Sequence, residues 1–327
     1  MRRFAASCFL VAIACSTSPE RRVDTGTDGV RVLVWNVWHG GNDVDHGPEK
    51  IRDLVVETDA DVVLMQESYD IDGDRPTTGR WLAAELGWNA YQHESPHLCV
   101  LSRYEMEETF FHHPWHGVGA RLADPEGRCF LAWSIWLDYR AYLPWELRDQ
   151  PEIADEDLLA AEDVRSSRLP QAQALLLDLR ERGQLTLDVP LLVGGDWNTP
   201  SHLDWTVDTA RVYRNRRGLR LPVSAAMEEA GFVDSFRAVH PNPVQAPGIT
   251  WSPLFRVAGD GKAQGFERID RLYVRQPTAG GSWTLVPRTA RVLPHLWEDD
   301  AIPVRERQFP SDHGAVLIEF DWVRRRD

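Results

Sequence analysis

The sequence predicts a layered fold of the α/β or α+β class, and three observations carry that expectation. Strand-like runs alternate with helical stretches from residue 30 to the last apolar run. Hydrophobic residues make up 43% of the chain, enough for a sizeable core. No repeating unit interrupts the alternation. At 327 residues the chain can form one large domain or two ordinary ones.

The elements follow in order. VRVLVWNVW reads as a strand. GPEKIRDLVVET sets Pro48 in a first helical turn and Ile51, Leu54 and Val55 on one face, which predicts an amphipathic helix. ADVVLMQE is a second buried strand, ending in a carboxylate. RWLAAELG reads as a helix closed by Gly87. Strand-like pieces continue to residue 138, and residues 154–182 form a long helical stretch that Pro170 breaks or restarts. LLVGGDWN reads as an apolar strand stopping at Gly194-Gly195. VSAAMEEAGFVDSF predicts a helix ending at Gly231, PNPVQAPGITWSP a loop, RIDRLYVR a strand and HGAVLIEFDWV the last strand.

The formal net charge is -14, which argues against a broad phosphate-tracking surface. It leaves room for a phosphate substrate, because a divalent cation supplies positive charge locally. The N-terminus, MRRFAASCFLVAIACSTSPE, has the pattern of an export signal over residues 1–14, too short to span a bilayer. Ala12-Ile13-Ala14-Cys15 resembles a lipoprotein cleavage box, so Cys15 is expected to carry a lipid, with plain secretion as the alternative. Residues 15–29 read as a polar tether. Cys99 and Cys129 are open to two readings, a disulfide or two free thiols.

Chemistry concentrates at strand ends. Asn36 ends the first strand and Glu67 the second, Asp196 and Asn198 follow LLVGG, Asp270 sits in RIDRLYVR, and Asp312-His313 precede the last strand. Each alone suits a turn. Together, in apolar surroundings where charge is costly, they point to a site. Glu67, Asp312 and the Asn36 amide oxygen are hard donors suited to Mg²⁺ or Mn²⁺. Asp196 could take a proton from an attacking water, Asn198 donate to an oxyanion, and His313 serve a developing charge if Asp270 fixes its tautomer. Water, metal and oxyanion clamp together describe phosphoester hydrolysis.

The ordered set N…QE…GDWN…ID…SDH resembles the endonuclease/exonuclease/phosphatase superfamily over roughly residues 30–322, with Trp197 where that family's GDFN motif has Phe. The resemblance implies a four-layered α/β sandwich, two mixed sheets face to face with helices outside, filling residues 30–327. It implies a metal surrounded by Asn36, Glu67 and Asp312, water activation by Asp196, phosphate contact by Asn198, and His313 oriented by Asp270. The family also has a phosphate-contacting His in a THL-like motif. Here SIWLDY puts Trp136 at that position, and an indole only donates its N–H. His39, His112, His113 or His116 could substitute, although FHHPWH also reads as a surface loop.

His39, His202, Trp205, Trp251 and Trp136 are further candidates to line a pocket, with loop packing as the alternative for the aromatics. YRNRRGLR, a dense basic run, reads as a solvated face rather than a phosphate groove. The expected protein is an exported, lipid-anchored monomer that hydrolyses a phosphodiester from a small molecule, lipid headgroup or nucleic acid. The rival readings are a non-specific nuclease and a catalytically weak binding module that keeps the fold.

Overall fold

The computed structural model describes residues 29–325 apart from positions 214 and 279. The expected signal, Cys15 and all but the last residue of the tether lie outside the described residues. The strands are β1 (Gly29–Asn36), β2 (Val62–Gln66), β3 (Asn89–Tyr91), β4 (Cys99–Ser102), β5 (Glu105–His113), β6 (Gly117–Ala123), β7 (Cys129–Trp136), β8 (Leu191–Asp196), β9 (Val233–Asp234), β10 (Asp270–Arg275), β11 (Trp283–Leu293) and β12 (Ala315–Arg324). The helices are α1 (Gly47–Glu57), α2 (Thr78–Leu86), α3 (Leu143–Asp149), α4 (Asp155–Leu159), α5 (Arg168–Glu181), α6 (Val207–Val212), α7 (Pro222–Glu229) and α8 (Ser235–Val239).

Two mixed six-stranded sheets result, in the orders β11-β12-β1-β2-β4-β3 and β5-β6-β7-β8-β10-β9. In the first, β1 runs parallel to β2 and antiparallel to β12. In the second, β8 runs parallel to β7 and antiparallel to β10.

Alternation along the strands makes the layers. Val32 and Val34 of β1 face Leu192, Leu272 and Ala132 in the core between the sheets. Leu33 and Trp35 face the other way, onto Ile51 and Val55 of α1 and Leu82 of α2. On the outer side of the second sheet, Trp133, Ile135 and Val193 receive Leu175 and Leu179 of α5 and Met227 of α7. Each such aliphatic side chain taken from water contributes about 1.5–3 kcal/mol. The four layers are helix, sheet, sheet, helix, the sandwich that the resemblance implies.

Several local expectations change. Gly194 and Gly195 do not end a strand; both lie inside β8, which continues to Asp196. They are glycines because neighbours press on them: a Cβ on Gly194 would meet Val34, Leu64 and Leu272 at 2.8 Å, and one on Gly195 would sit 1.9 Å from the Ile135 carbonyl oxygen. The stretch 154–182 is not one helix. It divides into α4 and α5, and Pro170 sits in the first turn of α5, where its missing N–H does no harm. Helix α7 stops at Glu229, short of Gly231, while Gly87 closes α2 as expected with φ 66°. Cys99 and Cys129 are free thiols, so the disulfide alternative is excluded. His112 and His113 end strand β5 rather than lying in a loop. Part of the basic run is internal: buried Arg216 donates to Glu267 at 2.8 Å, while Arg217 pairs with Asp155 at 2.6 Å. No described helix is long and apolar enough to cross a membrane.

Candidate active site

Strand register brings one rim together. Asn36 and Gln66 are partners at the ends of β1 and β2, and Asp196 is flanked by Trp136 of β7 and Asp270 of β10. The segment before β12 is tied onto β1: the Ser311 hydroxyl donates to the Asn36 carbonyl at 2.7 Å, and the Trp35 indole N–H donates to the His313 carbonyl at 3.0 Å. Thr250 holds the start of β10, its hydroxyl accepting from the backbone N–H of Ile269 and Asp270 at 3.0 Å.

These supports place a chain of polar groups. His313 Nδ1 lies 2.9 Å from Asp270 Oδ2, and its Nε2 lies 3.8 Å from Asp196 Oδ2 and 3.9 Å from Asp312 Oδ1. The Asn36 amide donates to Glu67 Oε1 at 3.0 Å and to Asp196 Oδ2 at 3.1 Å, while its Oδ1 accepts from the Trp38 backbone N–H at 3.0 Å. Asn198, at φ 51°, donates its backbone N–H to Asp196 Oδ1 at 2.9 Å. The Asn198 side-chain amide donates to the Leu137 carbonyl at 2.8 Å and to Asp196 Oδ2 at 3.2 Å. Asp196, Asp270 and His313 are all buried.

Burial sets the proton affinities. It pushes the Asp196 carboxyl up to about 7, against the pull of His313, with the Asp270 charge adding to the rise. It pushes Asp312 up to about 6, with Glu67 adding to the rise. Burial opposes a charge on His313, but the carboxylates of Asp270, Asp196 and Asp312 outweigh it and raise its pKa well above the ordinary imidazole value. A protonated imidazole flanked by carboxylates, next to an acid that titrates near neutrality, can move a proton to and from a bound oxyanion or water.

Two groupings of acids could hold a cation. Ligand atoms of Asp196, Asp270 and His313 lie within 4.8 Å of one another. His313 is engaged there with Asp270 and is held protonated, so that trio suits proton transfer rather than metal binding. Glu67 and Asp312 fit a hard cation better. Asp312 Oδ1 is buried with no hydrogen-bond partner, an acceptor with room for a further ligand, while Oδ2 accepts the Trp251 indole N–H at 3.3 Å. Glu67 keeps 17% of its side chain exposed at the rim, and the His39 backbone N–H donates to its Oε2 at 3.0 Å.

The remaining candidates separate. His39 stands over Glu67, with its Nε2 4.0 Å from Oε2, and Trp251 stands over Asp312. His202 is not brought to the rim: its Nδ1 meets Ser224 of α7 at 2.8 Å and its Nε2 faces Glu228. His112 pairs with Asp178, and His113 stacks on His116 at 4.4 Å. His116 reaches the Trp136 carbonyl at 3.1 Å. The Trp136 ring packs against the inter-sheet core, and its indole N–H is buried without an acceptor.

His97 escaped the sequence reading, standing in HLCVLS beside no acid and in no motif. Its Nδ1 accepts the Glu67 backbone N–H at 3.4 Å, which leaves Nε2–H to donate to the Trp115 carbonyl at 3.3 Å. Burial lowers its pKa to about 4, so it stays neutral and fixes the turn that carries Glu67.

A two-sheet sandwich with a buried Asp–His–Asp chain beside two further acids defines a hydrolase of phosphoester bonds. The profile of the Endonuclease/Exonuclease/phosphatase family matches residues 33–313, and the chain belongs to that family. The chain is 29% identical over 325 residues to the uncharacterized protein F14F9.5 of Caenorhabditis elegans, covering 96% of this chain and 98% of that one. The crystal structure of truncated Caenorhabditis elegans TDP2 is similar with a TM-score of 0.54 and 18% identity, over 90% of this chain and 97% of that chain. An endonuclease/exonuclease/phosphatase from Beutenbergia cavernae has a TM-score of 0.53 and 15% identity, over 90% of this chain and 72% of that chain. At these identities the structural likenesses establish the fold. Enzymes of the family generally use divalent metals, consistent with the acids at the rim.

Proposed function

We propose that the chain hydrolyses a phosphodiester, with Asp196 as the group that takes the proton from the attacking water. The observation that carries this is the chain Asp270–His313–Asp196, in which a buried carboxyl raised to about 7 faces an imidazole held protonated. Asp196 accepts near neutral pH, where a general base works best. His313, oriented through Nδ1 by Asp270, presents Nε2–H to a phosphate oxygen, and Asn36 and Asn198 fix the Asp196 carboxylate with their amide N–H groups. Glu67 and Asp312, with Asn36 beside them, would hold Mg²⁺ or Mn²⁺. The bound ion would supply positive charge for the negative charge that builds on the phosphate oxygens.

The acidic net charge and the paired basic run favour a compact phosphodiester over a tightly held nucleic acid. The test is turnover of bis-p-nitrophenyl phosphate, p-nitrophenyl phosphate and plasmid DNA with Mg²⁺ or Mn²⁺. Diester turnover that Asp196→Asn lowers by about 10²–10⁴ is expected. Absence of turnover of every substrate with both metals would instead favour a binding module.

The chain is further proposed to be an exported monomer tethered through a lipid on Cys15, on the strength of the pattern at residues 1–15. Cys15→Ser should release it from the membrane fraction, and unchanged fractionation would refute the anchor.

A further inference from the structure

A cavity of about 520 Å³ opens beside the catalytic rim, lined by Tyr139, Tyr142 and Trp145 among others. Three ring contacts join it to the rim. On one side the Tyr139 ring lies 6.0 Å from Trp136, the register partner of Asp196. On the other, Tyr142 and Trp145 lie 5.2 Å and 5.6 Å from Trp251, whose N–H is given to Asp312. The cavity is thus one aromatic ring removed from both Asp196 and Asp312.

Its walls are fixed before anything binds. The Tyr142 hydroxyl donates to the Gly265 carbonyl at 3.0 Å, and the Trp145 indole N–H donates to Gln264 Oε1 at 3.0 Å. Tyr142 is buried and backs the wall edge-on, while Trp145 keeps part of its ring accessible. Tyr139 is 64% exposed, so its ring is open to a stacking partner. The charges on the lining are compensated. Arg148 pairs with Asp149 at 2.8 Å and with Asp260 at 2.5 Å, Arg140 pairs with Asp138 at 2.5 Å, Lys262 pairs with Asp149 at 2.9 Å, and Arg165 pairs with Glu146 at 3.1 Å. A lining whose charges are paired off offers no net positive field to a polyanionic strand and suits an uncharged group.

We infer that this cavity is a specificity subsite for a planar, uncharged ring attached to the phosphate. The inference rests on the phosphodiesterase reading of the adjoining site. Trp136 then has a role in place of a phosphate-contacting imidazole: it backs Tyr139, against which the ring stacks. Aryl groups and nucleobases share the required chemistry.

The test is titration calorimetry of the full chain with Mn²⁺ against two pairs of probes. One pair is phenylphosphonate and methylphosphonate; the other is adenosine 5′-monophosphate and ribose 5-phosphate. The ring-bearing member of at least one pair should bind about tenfold more tightly, from the usual strength of ring stacking. A gain confined to the first pair assigns an aryl group, and a gain confined to the second a nucleobase. The gain should collapse in Tyr139→Ala and persist in Tyr139→Phe; because Tyr139 is exposed, neither change threatens folding. Equal affinities within both pairs, or a gain untouched by Tyr139→Ala, would overturn the subsite and leave the phosphodiesterase reading standing. If none of the four probes binds with Mn²⁺, that reading fails and the subsite with it.

Discussion

Asp196 is under opposing influences: burial raises its proton affinity, while the amide donors of Asn36 and Asn198 favour its charged form. Asp196→Asn keeps its volume and removes its basicity. Steady-state assay should show turnover lower by about 10²–10⁴ with the melting temperature little changed. Glu67→Gln should weaken Mn²⁺ binding in titration calorimetry; equal affinity would remove Glu67 from the metal site. His97 links a neutral imidazole to stability. Its pKa is about 4 in the fold against an ordinary 6.5, so as pH falls the unfolded chain takes the proton first. The stability it contributes is complete above pH 6.5 and is lost on the way down to 4. In chelator, urea midpoints for wild type should drop between pH 7 and pH 5 by on the order of 1–2 kcal/mol more than those for His97→Gln. Asn36, Glu67 and Asp196 were legible as candidates because each ends an apolar run, and Asp312 and His313 because they precede one, whereas Asp270 lies inside a strand of mixed polarity and drew notice only with the others. His97 was not, since its partners are backbone groups of two other segments.

At the scale of elements, period and composition found the strands but not the pressures on them. The pair Gly194-Gly195 looked like a strand end because glycine weakens strands. The cause lies in a third dimension, where Val34, Leu64 and Leu272 converge on one position and the Ile135 backbone on the next. Gly194→Ala meets side-chain methyls that can shift, and about 1–3 kcal/mol of destabilisation is expected by denaturant titration. Gly195→Ala meets backbone and should be the worse of the two; equal midpoints would contradict that ordering. The division of 154–182 has a similar origin. Buried Arg168 at the head of α5 donates to the carbonyls of Asp138, Ala141 and Ala161, which demands a turn before it. Leucine spacing carries no record of such a demand.

Across the whole molecule, the site is a seam between two sheets: Asn36, Glu67 and Asp312 stand on the first, and Asp196 and Asp270 on the second. Mn²⁺ at a hundredfold excess over its dissociation constant should add about 2.7 kcal/mol to unfolding stability, read as a rise in melting temperature. Glu67→Gln should lose most of that rise. The fold class and the ordered motifs were readable along the chain, whereas the cavity beside the rim was not, because Tyr139, Trp145 and Trp251 meet only after folding. The order of the first sheet has a consequence in time. Strand β1 leaves the ribosome long before β12, one of its two neighbours. Asn36 therefore waits for His313, 277 positions later, before the rim can close. A nascent chain halted before β12 would hold β1 with one edge unpaired, a sticky strand until β12 joins it. A chain arrested short of Asp312 would bear an open sheet and no working centre.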